Sequence, residues 1–268
     1  AGRLRSELGW VADALGAVRD LDVQREQLEA WIAKAEAPDR QPLRALDGVM
    51  EKEQARARVT MLRTLDSRRH ERLVTSFSRF VRRGPPRSSR GGRVPAVAAA
   101  PDLISTRYDR VVKARKRVKR DPSPERYHRL RIRCKRLRYA LEFFADLYGP
   151  PARKPIRRLA ALQDILGLMQ DAAVAVDRLR KLATQERGFA PATIFAMGQV
   201  ASRYQLKANR QRRRFPRAFR EFRGRSWHAF VSVMEDERSR AARAAWGAAA
   251  PDDPSTATSI RPVPSREL

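Results

Sequence analysis

Residues 124–148 carry the pattern that most restricts how this chain can fold. Ser123-Pro124-Glu125 is a strong helix start, with Ser at the cap and Pro at the first helical position, and Gly149 is a natural stop. At 100° per residue, Leu130, Cys134, Leu137, Leu141, Phe144 and Tyr148 fall within roughly 40° of one line, a stripe for a hydrophobic core. Ile132, Tyr139 and Phe143 form a second apolar stripe on nearly the opposite side, so the helix is expected to be covered twice. Between the stripes His128, Arg131, Lys135 and Arg138 share one row. Burying unpaired charge costs several kcal/mol per group, so this row is expected to face a groove or channel. Arg129, Arg133 and Arg136, on the other flank, read as a solvated face.

The row is repeated. Arg203, Lys207, Arg210 and Arg214 share a face of a helix expected over 191–222, beside a core stripe of Ile194, Met197, Val200, Ala201 and Tyr204. Arg56 and Arg63 stand two turns apart in the first part of the chain. Acids to neutralise the rows are scarce: residues 107–138 hold 15 Lys and Arg against Asp109, Asp121 and Glu125. Residues 203–225 hold ten bases against Glu221, whereas residues 1–81 are nearly balanced, 15 against 13. The net charge of +28 therefore sits mainly in two segments, and it points to a polyanionic partner. Phosphate suits the side chains, because Arg presents a planar fork for bidentate bonds and 49 of the 58 bases are Arg.

Composition sets the fold class. Aromatics are 7%, Gly numbers 13, and Ala, Leu, Arg, Glu and Gln fill long stretches, which favours an all-α fold over sheet architectures. Helical periodicity runs over 3–33, with an interruption at 16–22, and over 43–82. It resumes at 103–120, 124–148, 153–186, 191–222 (with Pro216 kinking or ending the helix) and 225–246. Residues 84–102 read as a flexible linker, dividing a first helical half (1–83) from a second (103–248). Residues 249–268 read as a disordered tail. The halves are related: LGWVADALGAVRDLDV (8–23) aligns without gaps on LAALQDILGLMQDAAV (159–174), with Leu8/Leu159, Asp13/Asp164, Leu15/Leu166, Gly16/Gly167, Asp20/Asp171 and Val23/Val174 identical. At that offset, Arg56 and Arg63 correspond to Lys207 and Arg214, and the counterpart of the 124–148 helix falls before Ala1. The first half is therefore expected to lack its own basic helix, which upstream residues or another copy of the chain would supply.

Other functions fit poorly. One cysteine, Cys134, allows no internal disulfide, and His70, His128 and His228 are scattered, so neither a metal site nor a cofactor is expected. Arg3, Arg5 and Glu7 interrupt any leader-like run, and no window near eighteen apolar residues stands out. A cytoplasmic setting away from membranes is the expectation. Catalysis on a phosphate polymer would need grouped carboxylates and a divalent metal, and the acids are dispersed.

With these residues assembled, the chain resembles the CHAD family, the conserved histidine α-helical domain. The likeness rests on His128-x-x-Arg131, Lys135-Arg136-x-Arg138-Tyr139 and Glu142-Phe143, on the L-G-x-x-x-D repeats (15–20 and 166–171), and on Arg19-Asp20-Leu21-Asp22-Val23. The resemblance spans roughly residues 1–245. It implies two pseudo-symmetric antiparallel helical bundles around a basic central cavity, a non-enzymatic role, and binding of inorganic polyphosphate, often at polyphosphate granules. Residue by residue it assigns His128, Arg131, Lys135 and Arg138 to the basic helix. Arg203, Lys207, Arg210 and Arg214 fall to the later helix, and Asp20 and Asp171 to acidic positions read as capping a helix or orienting an arginine. An RNA- or DNA-binding protein using the same surface is the alternative; the basic rows contain no interleaved aromatics to stack on bases.

Overall fold

The computed structural model describes residues 2–84, 94–185 and 188–249, and every regular element among them is an α-helix. In chain order these are α1 (Gly2–Ile32), α2 (Ala37–Leu65), α3 (Arg68–Arg83), α4 (Ala96–Arg120), α5 (Pro124–Phe143), α6 (Ala145–Tyr148), α7 (Pro150–Gln185), α8 (Pro191–Phe222) and α9 (Arg225–Ala249). The expected tail beyond residue 249 and the middle of the expected linker, residues 85–93, lie outside the described residues.

Several expected boundaries move. No interruption occurs at 16–22: α1 is continuous, because Gly16 costs a helix only about 1 kcal/mol and no proline accompanies it. A break falls instead at Asp66-Ser67, where the Ser67 hydroxyl accepts a hydrogen bond from the His70 N–H and starts α3. The linker is shorter than 84–102, since α4 begins at Ala96. Its alanine run favours helix, and Ala100 and Pro101 are buried. Pro216 does not end α8, which runs on to Phe222.

Two hydrophobic cores hold these helices. One gathers Ile104 and Val111 of α4, Leu130, Cys134, Leu137 and Leu141 of α5, Leu159, Leu162 and Leu166 of α7, Phe215, Phe219 and Phe222 of α8, and Trp227, Phe230 and Met234 of α9. Aromatic packing tightens its end, where the Tyr108 and Trp227 rings stack with centroids 4.2 Å apart. The second core joins Leu28 of α1 and Leu43, Leu46 and Met50 of α2 to Ala172, Ala175 and Leu179 of α7 and Met197, Val200 and Tyr204 of α8. The long α7–α8 pair thus runs through both cores, and the first half of the chain packs on the second through it. Polar contacts fix the α1–α2 hairpin. Arg25 donates to both carboxylate oxygens of Asp47 (2.9 and 3.0 Å) and to Gln54 Oε1 (2.6 Å), and Gln54 donates to Asp22 (2.5 Å).

The aligned repeat segments occupy α1 and α7 in unlike surroundings. Leu159 and Leu166 are 0% and 1% exposed where α5 covers α7; Leu8 and Leu15 are 46% and 44% exposed. Among the described residues, no helix covers that face of α1 as α5 covers α7.

Contrary to the expectation of no such window, a stretch within Pro150–Thr184 reaches the length and mean hydropathy (1.4) of a membrane span. Half of it is buried inside the protein, and its apolar residues pack against α5 and α8.

Candidate functional site

The core stripe of α5 sets where its cations point. With Leu130, Cys134, Leu137 and Leu141 buried, the row His128, Arg131, Lys135, Arg138 lies about a third of a turn away, and all four side chains are half-buried. The second apolar stripe is not covered, contrary to expectation. Tyr139 is 50% and Phe143 80% exposed, because their face points directly away from the core α5 helps to form.

Arg131 reaches α7 at Gly167, the glycine of the second L-G-x-x-x-D repeat; a Cβ there would stand 3.8 Å from Arg131 Nε. One turn further, burial pushes the Asp171 carboxyl above its ordinary range. Arg131 opposes the shift, Asp20 of α1 adds to it, and Arg19 opposes it again. Burial also pushes the Tyr204 phenol of α8 up to about 12, with Asp171 contributing next. Arg131, Asp171, Tyr204 and the Arg19–Asp20 pair therefore share one electrostatic neighbourhood where α5, α7, α8 and α1 meet. Asp20 and Asp171 sit deep inside α1 and α7, so the reading of either as a helix cap is corrected; a carboxylate beside an arginine is what Asp171 provides.

Two buried polar atoms of the α5 row, His128 Nδ1 and Arg138 Nε, have no hydrogen-bond partner among the described residues. Groups of this kind are uncommon in protein interiors unless something outside the chain satisfies them. Arg138 Nε does stand 3.5 Å from Glu142 Oε1, an ion pair one turn along the same helix.

The α8 row divides in two. Arg203 is half-buried and lies over the Trp31 ring of α1, 5.6 Å from its centroid. Lys207 stands 5.3 Å from the same ring and donates to Gln27 Oε1, and burial draws its ammonium below the ordinary lysine range. Arg210 and Arg214 are exposed, and Arg214 donates to Gln211 at 3.4 Å. In the stripe beside them Met197, Val200 and Tyr204 are buried as expected, whereas Ile194 is exposed. Arg56 and Arg63 are exposed on α2. Among the described residues Lys135, Arg203, Lys207, Arg210, Arg214, Arg56 and Arg63 form no ion pair within 4 Å.

Sequence reasoning took Arg19 only as part of the 19–23 motif and missed Trp31 and Gln27, which α1 also brings to the site. Their only local signal is a shared helix, and tertiary packing decides which cations they meet. Arg178 was missed too; its guanidinium donates to the buried Gln24 at 3.2 Å and lies 3.8 Å from Glu53. Among the described residues, no group of three or more His, Cys, Asp and Glu side chains is placed to hold a metal ion.

A helical domain in which the half-buried cations of α5 outnumber the carboxylates paired with them is a recognisable class. The chain belongs to the CHAD domain family, whose model matches residues 1–180. That match ends before α8, so the second cationic row lies beyond it. The fold is similar to the crystal structure of the CHAD domain from the plant Ricinus communis: TM-score 0.66, 27% identity, covering 81% of this chain and 72% of that one. It is also similar to PptA from Streptomyces chartreusis, with TM-score 0.67 and 20% identity over 81% of this chain and 79% of that one. No curated protein matches the sequence.

Proposed function

We propose that this protein binds inorganic polyphosphate in a cationic groove, without altering it chemically, in the cytoplasm. Membership of the CHAD family supports the ligand class. The approach of Arg131 to Gly167, and the packing of Val200 and Tyr204 beside Ala175 and Leu179, set the registers of α5 and α8 against α7. By those registers the rows His128 to Arg138 and Arg203 to Arg214 overlap along the middle of α7, each row about 15 Å long at 1.5 Å per residue. The face of α7 bearing Gly167 and Asp171 is then the floor and the two rows are the walls. One observation carries the reading: among the described residues the two rows hold a single ion pair, Arg138 with Glu142, while His128 Nδ1 lies buried without a hydrogen-bond partner. A phosphate polymer supplies acceptor oxygens at every unit, and charge-assisted bonds to Arg and Lys are about twice as strong as neutral ones.

A second reading, single-stranded RNA or DNA, draws on Tyr139 and Phe143. Both are exposed on α5, with the Arg138 guanidinium 5.4 Å from the Tyr139 ring, and such aromatics stack on bases. Competition between labelled polyphosphate and charge-matched RNA at fixed ionic strength tests the choice. Polyphosphate is expected to displace RNA efficiently and RNA to displace polyphosphate poorly, with Tyr139→Ala and Phe143→Ala leaving polyphosphate binding unchanged. Equal displacement, or loss of binding in the aromatic variants, would favour nucleic acid.

A further inference from the structure

The sequence reading treats Arg129 and Arg133 as a solvated face, but α4 builds a wall opposite them. Arg110, Lys113 and Arg117 of α4 and Arg126, Arg129 and Arg133 of α5 line a cleft of about 230 Å³, with Ala114 among its walls. Each helix contributes positions i, i+3 and i+7, which is one face. The chain reverses at Asp121–Ser123, so residues whose numbers add to about 243 stand level across the hairpin. Arg117 then faces Arg126, Lys113 faces Arg129, and Arg110 faces Arg133: three rungs of like charge over about 10 Å. Arg126 bonds to Asp121 at 2.5 Å, which draws that carboxyl below its ordinary range. The other five cations make no ion pair within 4 Å among the described residues. Around α5 this set lies about half a turn from Arg131, Lys135 and Arg138, so it belongs to the opposite flank of the helix.

We propose that the α4–α5 cleft is a second anion site, which takes a short run of condensed inorganic phosphate independently of the central rows. Like charges held level across a hairpin repel, and among the described residues the one ion pair made by the lining cations is that of Arg126 with Asp121. A multivalent phosphate between the walls removes that repulsion and gives each Arg a bidentate acceptor. The lining residues include no aromatic ring for a base to stack on, which favours a condensed phosphate over a nucleic acid here. The ligand class is the one proposed for the central rows, but the site is separate and is tested separately.

The experiment titrates tripolyphosphate into the full chain by calorimetry, and compares the cleft variant Arg110→Gln/Arg117→Gln/Arg129→Gln/Arg133→Gln with the central variant Arg131→Gln/Lys135→Gln. The unaltered chain is expected to bind about two equivalents. The cleft variant is expected to bind about one, and to melt at a higher temperature than the unaltered chain in the absence of anion, because its internal repulsion is gone. The central variant is expected to keep the cleft event. A cleft variant with unchanged stoichiometry and no gain in thermal stability would overturn the cleft proposal and leave the central rows untouched. Loss of all binding in the central variant would likewise overturn it. Tight binding in the central variant with none in the cleft variant would instead overturn the central reading alone. A charge-matched RNA oligonucleotide that displaces tripolyphosphate from the central variant as effectively as tripolyphosphate itself would overturn the assignment of ligand class.

Discussion

The guanidinium of Arg131 lies across the backbone of Gly167, close enough that a Cβ on the glycine would touch Nε at 3.8 Å. That distance is an ordinary van der Waals contact, so the site tolerates a methyl group and little more. Gly167→Ala is expected to leave polyphosphate binding within about twofold and to stabilise α7 by up to about 1 kcal/mol, since Ala is the better helix former. Gly167→Leu is expected to displace Arg131 and weaken binding by about tenfold or more while the far-ultraviolet helix signal is retained. Binding isotherms and thermal melts of the two variants check this.

Asp171 gives a pH-dependent prediction. Burial holds its carboxyl above the ordinary range, so the folded state binds this proton more readily than the unfolded state. The stability this confers is present at low pH and is lost as pH rises through the raised pKa. Asp171→Asn is therefore expected to melt higher than the parent at neutral pH. The gain should shrink as pH falls below the ordinary carboxylate range, where the parent's aspartate is also neutral. Removing an anion beside Arg131 should also tighten polyphosphate binding. Melting curves from pH 3 to 7 decide it; a gain that grows on acidification would contradict the assignment.

Cys134 offers a probe of the core. It is fully buried in the α5 stripe, and burial alone pushes its thiol up to about 12. Since the thiolate is the nucleophile, alkylation at pH 8 is expected to be undetectable over hours in the native protein and rapid in denaturant. Mass spectrometry after iodoacetamide treatment gives the rate, and fast native labelling would show that the core opens locally.

The parts of this molecule that were legible in its sequence are those that periodicity controls. Leu130, Cys134, Leu137 and Leu141 form a buried stripe because a 3.6-residue helix admits one such face, and the same pattern locates the row containing Arg131. The second stripe misled because Ile132, Tyr139 and Phe143 share a face without anything in the sequence showing what lies opposite; only packing decides that, and it leaves Tyr139 and Phe143 in solvent. The same limit hid the α4–α5 cleft: Arg129 and Arg133 look alike whether they face water or Arg110, Lys113 and Arg117. Trp31 and Gln27 came to Arg203 and Lys207 from about 180 residues away, a distance over which spacing carries no information. The start of α4 was misplaced for a local reason: Pro95 and Pro101 outweighed the alanines between them in the reading, but not in the helix.

The most direct test of the central claim is charge reversal within the rows against the same reversal elsewhere. Fluorescence anisotropy of labelled polyphosphate should be measured for the parent, for Arg131→Glu/Arg210→Glu, and for Arg72→Glu/Arg79→Glu on α3, at two salt concentrations. The row pair is expected to lose affinity by about a hundredfold and to show a shallower salt dependence, as fewer counterions are released, while the α3 pair changes by about threefold or less. Equal losses in the two pairs would mean that polyphosphate senses only the net charge of +28 and that no groove is involved.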